Sequence, residues 1–347
     1  MQEGRQMLAE TAPVLRQYGI QPDFVESYGR VYKVYSKTGQ YALKKIDSNT
    51  GTGFIRNVQY LFQRGFNRMV PVYPATDGRY AILEKGSLYY LMPWLPNGYK
   101  ANRSDESQQF FRELARLHTL SAAEVDIGKE DRERHYEAVV KQWEKDEEFL
   151  DGFIESCENE WYPSPFQMLF CQYYQDIRQA MGYSRRKLDD WKENTAELTK
   201  ARMVMLHGKS SLDHFVFDER GYGYFINFEG STNGSPIRDL LPFFAERLRV
   251  RPRKVEEHVE WLSTYQKHFP LREDEKLLFK SYMAYPSAII RSAQSYHAKE
   301  RNVFELRAVQ KFQKLYWQLK NTEYVVMRVE EIEKQRGEAE ASQSASS

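Results

Sequence analysis

The stretch Met203–Glu229, MVMLHGKSSLDHFVFDERGYGYFINFE, most constrains what this chain can become. An apolar run, Met203 to Leu206, delivers His207-Gly208 into a short loop. Phe215-Val216-Phe217, a turn over Asp218–Gly223, and Tyr224-Phe225-Ile226 follow. Short β-rich runs joined by a glycine-containing turn read as a hairpin. Its mouths carry His207, Lys209 and His214 on one side and Asn227 and Glu229 on the other. A site for chemistry belongs here, yet only one of these five side chains is a carboxylate.

Upstream, the pattern is that of a small sheet with one helix. Met7, Leu8, Val14 and Leu15 share a stripe of a helix over residues 5–18, which Gly19 ends. From Phe24 to Ile46 the period is two, with a Thr38-Gly39 turn, and the second strand carries Lys44 on the face of Ala42. The spacing predicts a helix from Phe54 to Arg64, with Gly65 at its C′ position. Strands are expected near Val70–Pro74 and Tyr80–Lys85, and in the apolar run Leu88–Leu95, which Pro96-Asn97-Gly98 breaks.

Beyond Pro96 the chain reads as helical. Expected helices cover Ser107–Leu120, residues 129–156, Phe166–Met181 and Lys187–Arg202. After the hairpin they cover Asp239–Leu248, Val255–Phe269 and Asp274–Met283, with two more in residues 285–325. The division is therefore a β-rich segment 1–95, a helical segment 96–330 containing the 203–229 hairpin, and a polar tail 331–347 expected to be disordered.

Composition removes several function classes. Fifty Lys and Arg against 49 Asp and Glu leave a net charge of +1, so nothing draws the whole chain to nucleic acid or anionic membrane. No apolar stretch approaches the ~20 residues that span a bilayer. The opening MQEGRQMLAE is too charged for a secretory signal, so a soluble, cytoplasmic site of synthesis is expected. Cys157 and Cys171 have neither metal-ligand spacing nor a disulfide framework, and read as two semi-buried hydrophobes in a reducing compartment.

A β-rich segment with a strand lysine, an apolar connector, then helices holding a His-Gly loop and hairpin resembles the bilobal protein-kinase-like α+β fold. Specifically it resembles the aminoglycoside phosphotransferase/choline kinase branch, with its H-G-D-x-x-x-x-N loop and I-D-F-[DE] strand. His207-Gly208 match, but Lys209 occupies the aspartate position and His214 the asparagine position. In Ile226-Asn227-Phe228-Glu229, Asn227 stands where the metal-binding aspartate belongs. Ala42-Leu43-Lys44 resembles the branch's lysine strand, and Pro236 to Leu240 its structural P-x-x-D-L helix start, with Asp239 intact. Tyr265–Pro286 (YQKHFPLREDEKLLFKSYMAYP), YGIQPDFVE and YALKKI resemble CotS-like spore coat proteins of endospore-forming bacteria, and the HGK and INFE variants their YsxE-type branch. The likeness covers about residues 10–325. It implies a kinase-like fold, synthesis in the mother-cell cytoplasm, a place in the spore coat, and other coat proteins as partners.

Phosphoryl transfer needs a carboxylate to orient the attacking hydroxyl and carboxylate oxygens to hold Mg²⁺ on the nucleotide. Lys209 repels a metal, Asn227 offers a neutral carbonyl, and the imidazole of His214 is a poor partner for so hard a cation. Losing the base costs roughly 10²–10⁴-fold in rate. The 54–64 helix supplies Gln59 and Gln63 but no glutamate to pair with Lys44. The expectation is a degenerate, non-catalytic kinase shape without cofactor. The alternatives are an ATP- and Mg²⁺-dependent phosphotransferase with an irregular metal site, or a nucleotide or anion sensor without turnover.

Several roles stay open. Lys44 either reaches solvent or enters a pocket, and Lys209 either pairs with Glu229 or forms a metal-free anion site with Lys44. His207 reads as structural, and Asp213 lies four positions from the base slot. Twenty-four tyrosines and 20 phenylalanines suit core packing, or a surface that docks onto other coat proteins.

Overall fold

The computed structural model describes residues 2–98, 103–249, 256–298 and 304–344. In chain order, α1 (Gln2–Gln17) precedes β1 (Pro22–Tyr28), β2 (Val31–Ser36), β3 (Gly39–Asp47) and α2 (Gly53–Gln63). Then come β4 (Ile82–Glu84), β5 (Ser87–Pro93), α3 (Arg103–Ser121), β6 (Ala123–Asp126), α4 (Lys129–Glu158) and α5 (Pro165–Asn194). The central stretch forms β7 (Lys200–Leu206), β8 (Phe215–Phe217), β9 (Gly223–Phe225) and β10 (Thr232–Gly234). Helices close the chain: α6 (Ile237–Arg247), α7 (Glu256–His268), α8 (Glu273–Ala284), α9 (Ser287–His297) and α10 (Glu305–Ser344).

Two compact units result, the first comprising Met1–Ala122 and Val204–Gly234. Its antiparallel sheet has the order β1-β2-β3-β5-β4. Alternation along the strands gives that sheet two different faces. Val25, Tyr32, Leu43 and Leu91 pack with Val14 and Leu15 of α1 and with Tyr18 just after it into one core. The neighbouring residues Lys44 and Tyr90, opposite each other in the β3–β5 register, therefore project from the other face. The β8–β9 hairpin belongs to this unit because its aromatics are buried with α3. Phe110 meets Phe215 and Phe225 at ring-centroid distances of 5.5 and 5.2 Å. Val70 N–H also donates to Phe225 O at 2.9 Å.

The second unit comprises Ala123–Met203 and Ser235–Ser347. Its core joins Phe153 of α4, Phe166, Phe170 and Ile177 of α5, Ile290 of α9 and Phe312 of α10. Ser164 starts α5 with a reciprocal cap: its hydroxyl accepts from Gln167 N–H, and Gln167 Oε1 accepts from Ser164 N–H at 2.7 Å. Arg202 of β7 reaches the buried Glu275 of α8 and donates to Pro270 O at 2.8 Å.

Several boundaries differ from the sequence expectation. The two units divide the chain otherwise than at residue 95, since α3 and the hairpin pack with the sheet. Residues 70–74 form no strand: Tyr73 makes an isolated bridge to Leu91, and just before them Met69 makes another to Phe225. Pro71 and Pro74 lack the N–H groups a ladder requires. Phe166–Met181 and Lys187–Arg202 are not two helices. One helix, α5, runs through the segment between them, Gly182 included, and stops at Asn194, and residues 200–202 open β7. The polar tail is helical to Ser344, rich in Glu, Lys, Gln and Ala and anchored by Lys280 on Glu333 at 2.9 Å. Val255 and residues 345–347 lie outside the described residues.

Candidate functional site

Five of the sequence-selected polar residues and Lys44 converge within the first unit. Lys44 rises from the middle of β3, and its Nζ donates to both Asn227 Oδ1 and Glu229 Oε1. Tyr90 OH, beside it on β5, donates to the same Glu229 oxygen at 2.5 Å. Lys209 Nζ sits 3.3 Å from the other oxygen, Glu229 Oε2. The Glu229 side chain is only 4% exposed, whereas Lys209 is 44% exposed. One buried carboxylate is thus shared by two ammonium groups and a phenol.

Local structure fixes this arrangement. Asn227 takes a left-handed conformation, φ 70° and ψ 47°, which its short polar side chain tolerates, and starts the 3₁₀ turn Phe228–Gly230 that carries Glu229. Asn57 of α2 ties the following residue down, donating to Ser231 Oγ at 2.9 Å. Gly208 has φ +80°, and a Cβ there would stand 2.1 Å from Gly230 O. The His-Gly loop and the Glu229 turn are held in backbone contact that only glycine permits.

The histidines have assignable roles. His207 is buried, its Nε2 lies 2.8 Å from Ile226 O, and its Nδ1 accepts from Lys209 N–H at 3.3 Å. A carbonyl can only accept, so Nε2 carries the proton and the ring is a neutral spacer between loop and hairpin. Asn227 Oδ1 is committed to an ammonium, so its Nδ2 donates to His214 Nδ1 at 2.7 Å. Burial pushes the His214 imidazole below its usual value, and the Lys209 and Lys44 ammonium groups push it the same way.

The carboxylate is strongly ionised. Burial alone would raise the Glu229 carboxyl, but the attraction and hydrogen bond of Lys44, with Tyr90, hold it at about 2. Lys44 itself moves down, because its burial outweighs the pull of Glu229. The two partners thus differ in what they gain, and the pair is worth less than the carboxyl alone suggests. Burial beside Glu229 pushes the Tyr90 phenol well up, so it remains a donor.

Mg²⁺, which the resemblance implies, does not fit this donor set. Asn227 Oδ1 and both Glu229 oxygens face ammonium groups, and His214 Nδ1 accepts from an amide. Among the described residues no three His, Cys, Asp or Glu side chains are placed to hold a metal. At the base position stands Lys209, a donor, and the nearby Asp213 is exposed in the 3₁₀ turn Leu212–His214. The structure brings together His207, Lys209, His214, Asn227, Glu229 and Lys44. Asp239 belongs to the second unit, buried in the first turn of α6. Cys157 and Cys171 are free thiols of that unit. Sequence reasoning missed Tyr90, which only the β3–β5 register sets beside Lys44. It also missed Ser210, whose Oγ is buried with no hydrogen-bond partner among the described residues.

No protein-family model and no curated protein sequence matches the chain. Solved structures do. An aminoglycoside phosphotransferase from Alicyclobacillus acidocaldarius is similar with a TM-score of 0.69 at 11% identity, over 91% of this chain and 95% of that one. A spectinomycin phosphotransferase, solved with ADP and spectinomycin, gives 0.54 at 13% over 92% and 98%. A microcompartment-associated aminopropanol kinase gives 0.53 at 13% over 93% and 98%. At such identities the likeness speaks for the fold alone, and that fold is the kinase-like α+β architecture of the aminoglycoside phosphotransferases.

Proposed function

We propose that this chain is a pseudokinase: a kinase-shaped protein that transfers no phosphoryl group and works through protein contacts in the spore coat. The observation that carries the first half is the Lys44 ammonium bound to Asn227 and Glu229, side chains that stand where the fold would seat a metal. With Lys209 on the remaining Glu229 oxygen, both oxygens of that carboxylate are consumed internally. The second half rests on the resemblance of HGK, INFE and Tyr265–Pro286 to CotS-like coat proteins. It makes other coat proteins the partners and takes the chain from the mother-cell cytoplasm to the coat.

A second reading, an anion or nucleotide sensor without turnover, has its own support. Two ammonium groups face one carboxylate, and Ser210, next to Lys209 in the chain, has a buried hydroxyl without a hydrogen-bond partner among the described residues. Thermal-shift titration with ATP, with and without Mg²⁺, separates the readings. A ligand at 100 times its Kd adds about 2.7 kcal/mol. No shift in either case supports the contact protein, and a shift indifferent to Mg²⁺ supports the sensor. A Mg²⁺-dependent shift with phosphate transfer overturns both in favour of a phosphotransferase. A fluorescent fusion followed through sporulation tests the location, and a signal that never reaches the spore surface refutes it.

A further inference from the structure

Two aromatic patches, one in each unit, carry opposite charge. In the second unit, five of the fourteen large apolar side chains left exposed among the described residues lie on or next to the segments that meet at Glu305. Trp161 (85% exposed) and Tyr162 (83%) form the α4–α5 turn, Met168 lies in the start of α5, and Phe304 and Leu306 flank Glu305 at the start of α10. Glu305 ties these pieces together, accepting from Phe166 N–H at 2.8 Å and from Tyr296 OH at 3.0 Å. Among the described residues the rim is acidic: Glu155, Glu158 and Glu160 are exposed and form no ion pair, against Arg307 lying over the Phe304 ring. The C-terminal end of α4 adds its partial negative charge.

In the first unit, β1 is an edge strand with Phe24 and Tyr28 more than half exposed. Phe24 meets Tyr35 at 5.7 Å and Tyr28 meets Trp94 at 5.6 Å, with the Lys33 ammonium 4.7 and 4.8 Å from the Tyr35 and Trp94 ring centres. Arg30 and Lys37, both exposed, flank the two ends of β2. Three cations thus stand against Asp23 and Glu26, and Glu26 already accepts from the hydroxyls of Tyr28 and Tyr35.

The geometry points to head-to-tail self-association, in which the acidic aromatic patch of one copy (Trp161, Tyr162) seats on the basic aromatic edge strand (Phe24, Tyr28, Lys33) of the next. Apolar patches of this kind mark contact sites, and opposite rims favour this pairing over either patch meeting itself. An acidic rim is also repelled by anionic lipid, which removes a membrane as occupant. Because the two patches differ, the contact is heterologous and one chain can engage two neighbours. The inference rests on the contact-protein reading and names the partner as a second copy.

The test is sedimentation velocity of the full chain without nucleotide, over concentration and salt. Average mass should rise with concentration and fall at high salt. Trp161→Ser/Tyr162→Ser and Phe24→Ser/Tyr28→Ser, all at exposed positions, should each be monomeric alone. Mixed, they should form a dimer that stops at twofold mass, since each supplies the patch the other lacks. A wild-type chain that stays monomeric at its highest soluble concentration overturns the proposal. So does a mixture that fails to combine, or one double variant that still dimerises by itself. A failure here leaves the nucleotide titration untouched, and the reverse holds too.

Discussion

Replacing Glu229 by glutamine keeps the shape of the turn but deletes the one negative charge that, among the described residues, pairs with the Lys44 and Lys209 ammonium groups. Lys44 is a buried cation, and removing one partner of a buried pair costs about 3–5 kcal/mol, because the survivor stays desolvated. A pH series gives an independent measure. In the wild type, the Glu229 carboxyl sits at about 2 in place of 4.5, so its contribution is full above pH 4.5 and is lost as the pH falls toward 2. That acid limb amounts to about 3 kcal/mol, and Glu229→Gln should lack it. The variant should show the opposite trend in alkali. Lys44 is already held below its usual value, so raising the pH discharges it and restores stability. Urea unfolding followed by tryptophan fluorescence at pH 3, 7 and 9.5 reads all three effects. A variant within about 0.5 kcal/mol of wild type at pH 7, with the wild-type acid limb intact, would refute the shared-carboxylate account.

Gly208→Ala should cost about 3 kcal/mol or more in the same unfolding assay, since its Cβ meets Gly230 O at 2.1 Å and its φ is +80°. Arg202→Met leaves the buried Glu275 without its guanidinium, and a loss of about 3–5 kcal/mol is expected, read as a lowered urea midpoint. His214 should remain neutral below the pH at which an exposed histidine protonates. Its depressed value therefore makes stability fall as the pH drops through the ordinary histidine range, and an NMR titration of its ring protons checks this directly.

The legible part of the fold was punctuated by local chemistry. Alternation around Thr38-Gly39 gave the Lys44 strand, and glycines and short aromatic runs gave the 203–229 hairpin, both of which the structure contains. Lys209 and Glu229 are twenty residues apart across that hairpin, close enough for sequence reasoning to weigh their pairing. Tyr90 was hidden because its role depends on the β3–β5 register, a long-range property that no local pattern encodes. The same holds for the Lys44–Glu229 bond, which spans 185 positions. Helix α5 was split in the sequence reading where Gly182 lowers helix propensity by about 1 kcal/mol, a cost the packed helix absorbs, and its true stop at Asn194 lacks glycine or proline. The strand expected at Val70–Pro74 weighed β-propensity above the two prolines that forbid a ladder.

The account's central claim is that Lys44, Asn227, Glu229 and Lys209 satisfy one another and leave no seat for a divalent cation with its nucleotide. A crystal structure of the chain grown with Mg²⁺ and a non-hydrolysable ATP analogue tests it most directly. It should show the Lys44–Glu229 pair intact, with no metal on Asn227. A cation coordinated by Asn227 and Glu229, with Lys44 swung onto the phosphates, would contradict it.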